Sequence, residues 1–161
     1  MLKYLIFDRG DTIIVDLPES YGGMANWPYY KPVEGVIETV SELSKSYSCV
    51  IASNTSISSS SIIRSALSKI KLDSCFSYIF TQNELGCAKP DKAFFLNILN
   101  FLNAKPFQTC MIGNSYKLDI VPAKEVGMHT ILLSQKSGIY PKADYTINKF
   151  KELITIINKI N

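Results

Sequence analysis

Four polar clusters in this 161-residue chain share one chemistry, three of them at the ends of apolar runs. Asp8 ends the apolar run Tyr4-Leu5-Ile6-Phe7, Ser53-Asn54 follow Cys49-Val50-Ile51-Ala52, and Asn114 follows Cys110-Met111-Ile112-Gly113. Lys89 stands in Gly86-Cys87-Ala88-Lys89-Pro90, just ahead of a helical pattern. A carboxylate can attack phosphorus and form an aspartyl-phosphate. A small hydroxyl with its turn amides can hold phosphoryl oxygens, a lysine can neutralise them, and oxygen side chains can ligate a hard metal. Together these are the parts of phosphoryl transfer, where catalysis is mostly positioning and charge neutralisation. Each has a plainer reading alone: Asp8 as a turn cap, Ser53-Asn54 as a helix cap, Lys89 as a solvated lysine, Asn114 as a turn residue, Asp119 as an exposed helix charge. Those readings lose force jointly, because each would have to coincide with the right strand end.

The elements that must position these residues alternate along the chain. Short apolar runs read as buried parallel strands at about 4–7, 48–52, 76–80, 109–114 and 129–133, with a last short one at 145–147. Amphipathic or apolar helical patterns lie between them: Val33 to Tyr47, Ile57 to Ile70, Asp91 to Leu102 with Pro90 in its first turn, Tyr116 to Val126 closed by Gly127, and Lys149 to Ile160. Alternation of this kind predicts an α/β fold, a three-layer Rossmann-like doubly wound parallel sheet. The carboxyl ends of such strands converge on one cleft. Residues 13–32 break the pattern, holding three of the seven prolines and the single tryptophan. A loop of that length predicts a flap over a site or an ordinary packed excursion, with Tyr21, Trp27, Tyr29 and Tyr30 as its substrate-contact candidates.

Bulk properties narrow the classes. The length predicts one domain over 1–161, and a net charge of +3, scattered along the chain, gives no nucleic-acid or membrane-surface signal. No apolar run approaches the roughly 20 residues that span a bilayer. Cys49, Cys75, Cys87 and Cys110 are far apart without a C-x-x-C pair, which predicts reduced thiols in a cytoplasmic protein without a zinc site. The start of the chain shows no signal-peptide pattern. His129, the sole histidine, reads as structural, as does Cys87. The dinucleotide and P-loop glycine fingerprints are absent.

Phe7-Asp8-x-x-x-Thr12, Ile51-Ala52-Ser53-Asn54, Gly86-x-x-Lys89-Pro90 and Ile112-Gly113-Asn114-Ser115-x-x-x-Asp119-Ile120, with Ala123 and Gly127-Met128 behind them, resemble the four ordered motifs of haloacid dehalogenase-like (HAD) hydrolases. The likeness runs over about residues 2–134. It implies a Mg2+-dependent phosphomonoester hydrolase with Asp8 as nucleophile and metal ligand. Lys89 would keep Asp8 ionised, and Ser53 and its turn amides, Asn54 included, would hold the phosphoryl group. Gly10 would offer its carbonyl to magnesium, Asn114 would ligate it, and Asp119 would lie behind or bind through water. Thr12 joins the substrate-binding candidates with Trp27 and Tyr29.

Two positions depart from the family's phosphatases. Gly10 stands where they usually carry an aspartate as general acid and base, and Asp11, one residue on, is the substitute candidate. Asn114 stands where aspartate is commoner, which removes one negative charge from the metal set. Both features also fit a second reading, a weakly active or inactive phosphate-binding or interaction module. A receiver-type domain fits less well, because its acidic pair should precede the phosphorylated aspartate. Only residues 13–32 and one helix separate Thr12 from Ser53, so no cap domain is expected. An open site of that kind needs a large phosphorylated substrate or a second copy of the chain to exclude water.

Overall fold

The computed structural model describes residues 1–161. Its strands are β1 (Tyr4–Phe7), β2 (Ser48–Ser53), β3 (Phe76–Thr81), β4 (Thr109–Gly113), β5 (His129–Leu133) and β6 (Tyr145–Ile147). They form one sheet in the order β3-β2-β1-β4-β5-β6, and every neighbouring pair is parallel. The chain starts in the middle and winds outward in both directions, so the order reverses between β1 and β4. A crevice must open at the carboxyl ends of those two strands, because their connections leave to opposite faces.

The pleat divides the core between the two faces. Leu5, Phe7, Cys49, Ile51, Cys110 and Ile112 point one way and meet α1 (Val36–Leu43), α2 (Ser60–Lys69) and, further on in the chain, α6 (Glu152–Ile160). Ile6, Val50, Ala52 and Met111 point the other way and meet the pair we call α4 (Lys92–Phe101) and α5 (Val121–Glu125), which follow the single-turn α3 (Gln82–Leu85). Burial on both faces explains why these strands are continuous apolar runs rather than alternating ones. No cap domain is present, and no helix is long and apolar enough to cross a membrane.

Several element boundaries differ from the sequence expectation for local reasons. Helix α1 begins at Val36 rather than Val33, because the Val33 amide donates to Ile13 O at 3.0 Å and Gly35 turns the chain at φ 78°. Pro90 lies just outside α4. Asp91 is the cap instead, its Oδ1 accepting from the Ala93 amide at 2.9 Å. The expected helix at 116–126 opens as a π-helical turn over Tyr116–Ile120 before continuing as α5. Residues 13–32 carry two short 3-10 turns and isolated bridges, the Ile14 backbone pairing with Pro32.

Candidate active site

The sheet delivers Asp8 first. Its amide donates to Ile112 O at 2.9 Å, continuing the β1–β4 ladder one residue past β1 and fixing the side chain at the crevice. Ser53 ends β2 and lines the same cleft, which measures about 440 Å³. Asn54 follows it, but its side chain is committed: Nδ2 donates to Lys89 O at 2.7 Å and Oδ1 accepts from Lys89 N at 2.7 Å. The Asn54 side chain is thus spent on clamping the Lys89 backbone, and the contact expected of Asn54, through its main-chain amide, does not depend on it.

That clamp aims a lysine whose side chain is 2% exposed. Lys89 Nζ donates to Asp8 Oδ1 at 2.7 Å, to Asp119 Oδ1 at 2.7 Å and to Ala52 O at 3.0 Å. All three ammonium hydrogens are used. Burial opposes the Lys89 charge, but the two carboxylates outweigh it and raise its pKa above the ordinary lysine value. Burial pushes the Asp119 carboxyl up to about 6, against the pull of Lys89 and with the Asp8 charge adding to the rise.

Asp119 reaches this position through two local features. A Cβ on Gly113 would lie 2.3 Å from Asp119 Oδ2, so only glycine lets the carboxylate tuck beneath the end of β4. The Ser115 amide donates to Oδ2 at 3.0 Å, and the Ser115 hydroxyl caps the π-helical turn by accepting from Leu118 N at 3.2 Å. Such turns are rare and recur at functional sites. Both Asp119 oxygens are thus engaged by protein groups, which places this residue behind the cleft surface.

Asn114 meets Asp8 across the switch point. With its oxygen inward, the amide puts that atom 3.2 Å from Asp8 Oδ2 and 3.3 Å from Gly10 O, while Thr12 Oγ1 donates to it at 3.4 Å. Asp8 Oδ2 and Gly10 O then both face the Asn114 oxygen, an arrangement relieved either by turning the amide nitrogen inward or by a cation among them. The donor set is all oxygen with a single carboxylate, so it fits a hard cation, and Asn114 in place of a second carboxylate keeps its charge low. Thr12 itself is fully buried; its hydroxyl steadies Asn114 and is not available to substrate as expected.

The loop after β1 contributes two residues that sequence reasoning passed over. Arg9 Nη1 donates to Asp16 Oδ1 at 2.6 Å, and its guanidinium lies 5.6 Å from the Trp27 ring centroid. Asp16 lines the cleft with Asp8 and Lys89. Burial raises its carboxyl above the usual value, and Arg9 draws it part of the way back. Asp11, the expected substitute acid, adopts φ 54° and accepts from the Asp16 amide at its Oδ1, 2.9 Å away. The signal that could have found Asp16 was the empty side-chain position at Gly10, which invites a search of the next loop for a carboxylate.

Of the flap aromatics, only Trp27 reaches the cleft, held by its indole N–H donating to Gly22 O at 3.1 Å. Tyr29 is 56% exposed away from it, and Tyr30 packs inward with its hydroxyl on Met24 O at 2.6 Å, so the chain's path corrects the expectation for both. Tyr21 does not line the cleft either. His129 begins β5 at the opposite edge of the sheet, its Nδ1 3.9 Å from Asp144 Oδ2. A second hollow of about 670 Å³ borders the cleft and shares Asp11 and Asn114 with it. That hollow touches neither Asp8 nor Lys89, which both line the smaller space.

Residues 5–133 match the sequence profile of the haloacid dehalogenase-like hydrolases. The chain is 31% identical over 134 residues to a protein named pyrophosphatase PpaX from Bacillus mycoides, covering 80% of this chain and 60% of that one. It is 34% identical over 91 residues to a glyceraldehyde 3-phosphate phosphatase from Methanocaldococcus jannaschii, covering 53% of this chain and 39% of that protein. The chain therefore spans less than two thirds of the length of these relatives. Its fold superposes on a protein from Listeria monocytogenes serotype 4b with a TM-score of 0.85, at 23% identity, covering 99% of this chain and 98% of the other. It also superposes on the HAD-hydrolase YfnB from Bacillus subtilis, solved bound to magnesium, with a TM-score of 0.78 at 18% identity and coverage of 98% and 99%. The profile match takes in all four motifs, and on that evidence the chain belongs to the haloacid dehalogenase-like hydrolase family.

Proposed function

We propose that this chain is a phosphomonoester hydrolase that works through an aspartyl-phosphate on Asp8. The observation that carries the reading is the buried lysine shared by Asp8 and Asp119, at 2.7 Å from each, beside a cleft that ends in Ser53. A structural aspartate needs no cation buried to this depth. A nucleophile that must stay ionised while a phosphate dianion approaches does. The names of the relatives, a pyrophosphatase and a phosphatase, support a phosphorylated substrate.

In this reading the ester's phosphoryl group enters with its oxygens on the Ser53 hydroxyl and the Asn54 amide, and the nearby charge of Lys89, whose hydrogens stay on Asp8, Asp119 and Ala52, offsets theirs. Asp8 attacks phosphorus in line and expels the alcohol, and water then cleaves the acyl-phosphate. Asn54 keeps Lys89 aimed from behind, and Asp119 holds the lysine from the far side. Asp8, the Gly10 carbonyl and Asn114 would hold magnesium, which would neutralise phosphate charge as it develops. The whole of 1–161 acts as one domain, with residues 13–32 as a flap that brings Trp27 to the mouth. A site without a cap leaves water to be excluded by the substrate itself or by a second copy of the chain.

The test is phosphate release from a panel of phosphomonoesters, with magnesium and with a chelator. Release from at least one ester that requires magnesium, and that returns when the metal is restored, is the expected result. Because Asn114 lowers the charge of the metal set, half-saturation should need more magnesium in the native chain than in Asn114→Asp. Absence of release from every ester at saturating magnesium would favour the phosphate-binding module, for which Gly10 and Asn114 are the supporting features.

A further inference from the structure

Gly10 has no side chain, yet the space that a side chain there would fill is occupied. A Cβ built on Gly10 would lie 2.2 Å from Asp16 Oδ2 and 2.8 Å from its Cγ. The carboxylate of Asp16, six residues along the loop, thus stands where a carboxylate carried on position 10 would begin. A larger residue at position 10 would push the Asp16 carboxylate out of this place. The two positions exclude one another, as expected if one carboxylate has replaced the other.

We propose that Asp16 is the acid and base of the phosphoryl transfer, delivered to the cleft by the loop that follows β1. This rests on the phosphatase reading of Asp8. When a carboxylate oxygen of Asp8 bonds to phosphorus and the P–O bond to the alcohol breaks, the Asp16 carboxyl gives its proton to the departing oxygen. In the second step Asp16, now a carboxylate, takes a proton from the attacking water as its oxygen bonds to phosphorus. The bond to Asp8 breaks, inorganic phosphate leaves, and Asp16 is again protonated. One ester and one water are consumed, and one alcohol and one phosphate are formed.

The surroundings of Asp16 are those of a positioned group. Its Oδ1 accepts from Arg9 Nη1 at 2.6 Å, leaving Oδ2 on the Gly10 side. Its amide donates to Asp11 Oδ1 at 2.9 Å, so the carboxylate next to Gly10 in sequence serves as an anchor for the loop. Arg9 in turn lies against Trp27 of the flap. Asp11 and Arg9 are positioning residues in this account, and they tie the flap to the proton-transfer step.

The test compares kcat/KM for an alkyl phosphate with that for p-nitrophenyl phosphate, whose leaving group departs without a proton. Asp16→Asn should lose about 10²- to 10⁴-fold on the alkyl ester, the range for a positioned acid, and far less on the nitrophenyl ester. It should also release a burst of nitrophenol, because breakdown of the phosphoenzyme lacks its base. Asp16→Ala should behave alike, and Gly10→Asp added to Asp16→Ala should recover much of the alkyl-ester activity in the vacated space. A loss equal on both esters, or none, with no recovery in the double variant, would overturn the role of Asp16. If Asp8→Asn is inactive in the same assay, that outcome leaves the Asp8 reading intact. Wild-type inactivity on both esters would sink the two together.

Discussion

Replacing Lys89 by Met is expected to destabilise the fold by roughly 3–5 kcal/mol, the cost of removing one partner from a buried ion pair. Methionine nearly matches the lysine stem in volume, so the loss is electrostatic, the ammonium's place 6.0 Å from the Phe94 ring centroid included. What remains is Asp119, with a side chain 1% exposed, and Asp8 at 14%, both stripped of their cation. The Ala52 carbonyl also loses its donor. Urea unfolding should show a lower midpoint at an unchanged slope, and phosphate release should vanish with it. A midpoint within experimental error of wild type would mean that Asp119 is neutral in the native state and that the lysine's charge is not needed there.

Asp8→Asn should give the opposite pairing of effects. Asparagine keeps the shape, and Lys89 retains Asp119 Oδ1 and Ala52 O as acceptors. One of two like charges that share a lysine is removed, so stability should hold or rise slightly. Activity should fall roughly 10⁴- to 10⁶-fold, as when a catalytic nucleophile is deleted. An amide cannot form the acyl-phosphate, and the convergence of Asp8 Oδ2, Gly10 O and Asn114 loses its only carboxylate. Thermal melts and phosphate release on the same preparation separate the two variants: Lys89→Met loses both properties, Asp8→Asn only one.

The parts of the site that the sequence made legible are those set by strand ends. A fully buried parallel strand must be apolar throughout, so a polar residue directly after it marks the carboxyl edge. Asp8, Ser53 and Asn114 announce themselves in that way. Lys89 was legible only in company, because its burial depends on the Asn54 clamp, a contact made across 35 positions of sequence. Asp119 reads alone as an exposed helix charge, and only the family resemblance sets it behind the metal. Its burial follows from the room left by Gly113 and from a π-helical turn, and neither shows in hydrophobic periodicity.

The loop residues were the least legible. Nothing in the spacing of residues 13–32 tells which aromatic turns inward, so Trp27 was found at the cleft and Tyr29 was not. From sequence, Asp11 is the candidate because it adjoins the gap at Gly10. The backbone instead turns Asp11 through a left-handed conformation toward the loop and returns six residues after Gly10 with Asp16. Proximity in sequence is a poor guide where the chain reverses direction.

The most direct measurement on the central claim is the chemical trapping of the intermediate. The protein would be mixed with a phosphate-labelled ester and magnesium, quenched in acid, and digested for mass analysis of the peptide holding Asp8. The account predicts phosphate on Asp8, removed by hydroxylamine as an acyl-phosphate is, absent in Asp8→Asn and accumulating in Asp16→Asn. Turnover of the ester with no label on Asp8 in either the wild type or Asp16→Asn would contradict it, since phosphate would then be released by direct attack of water.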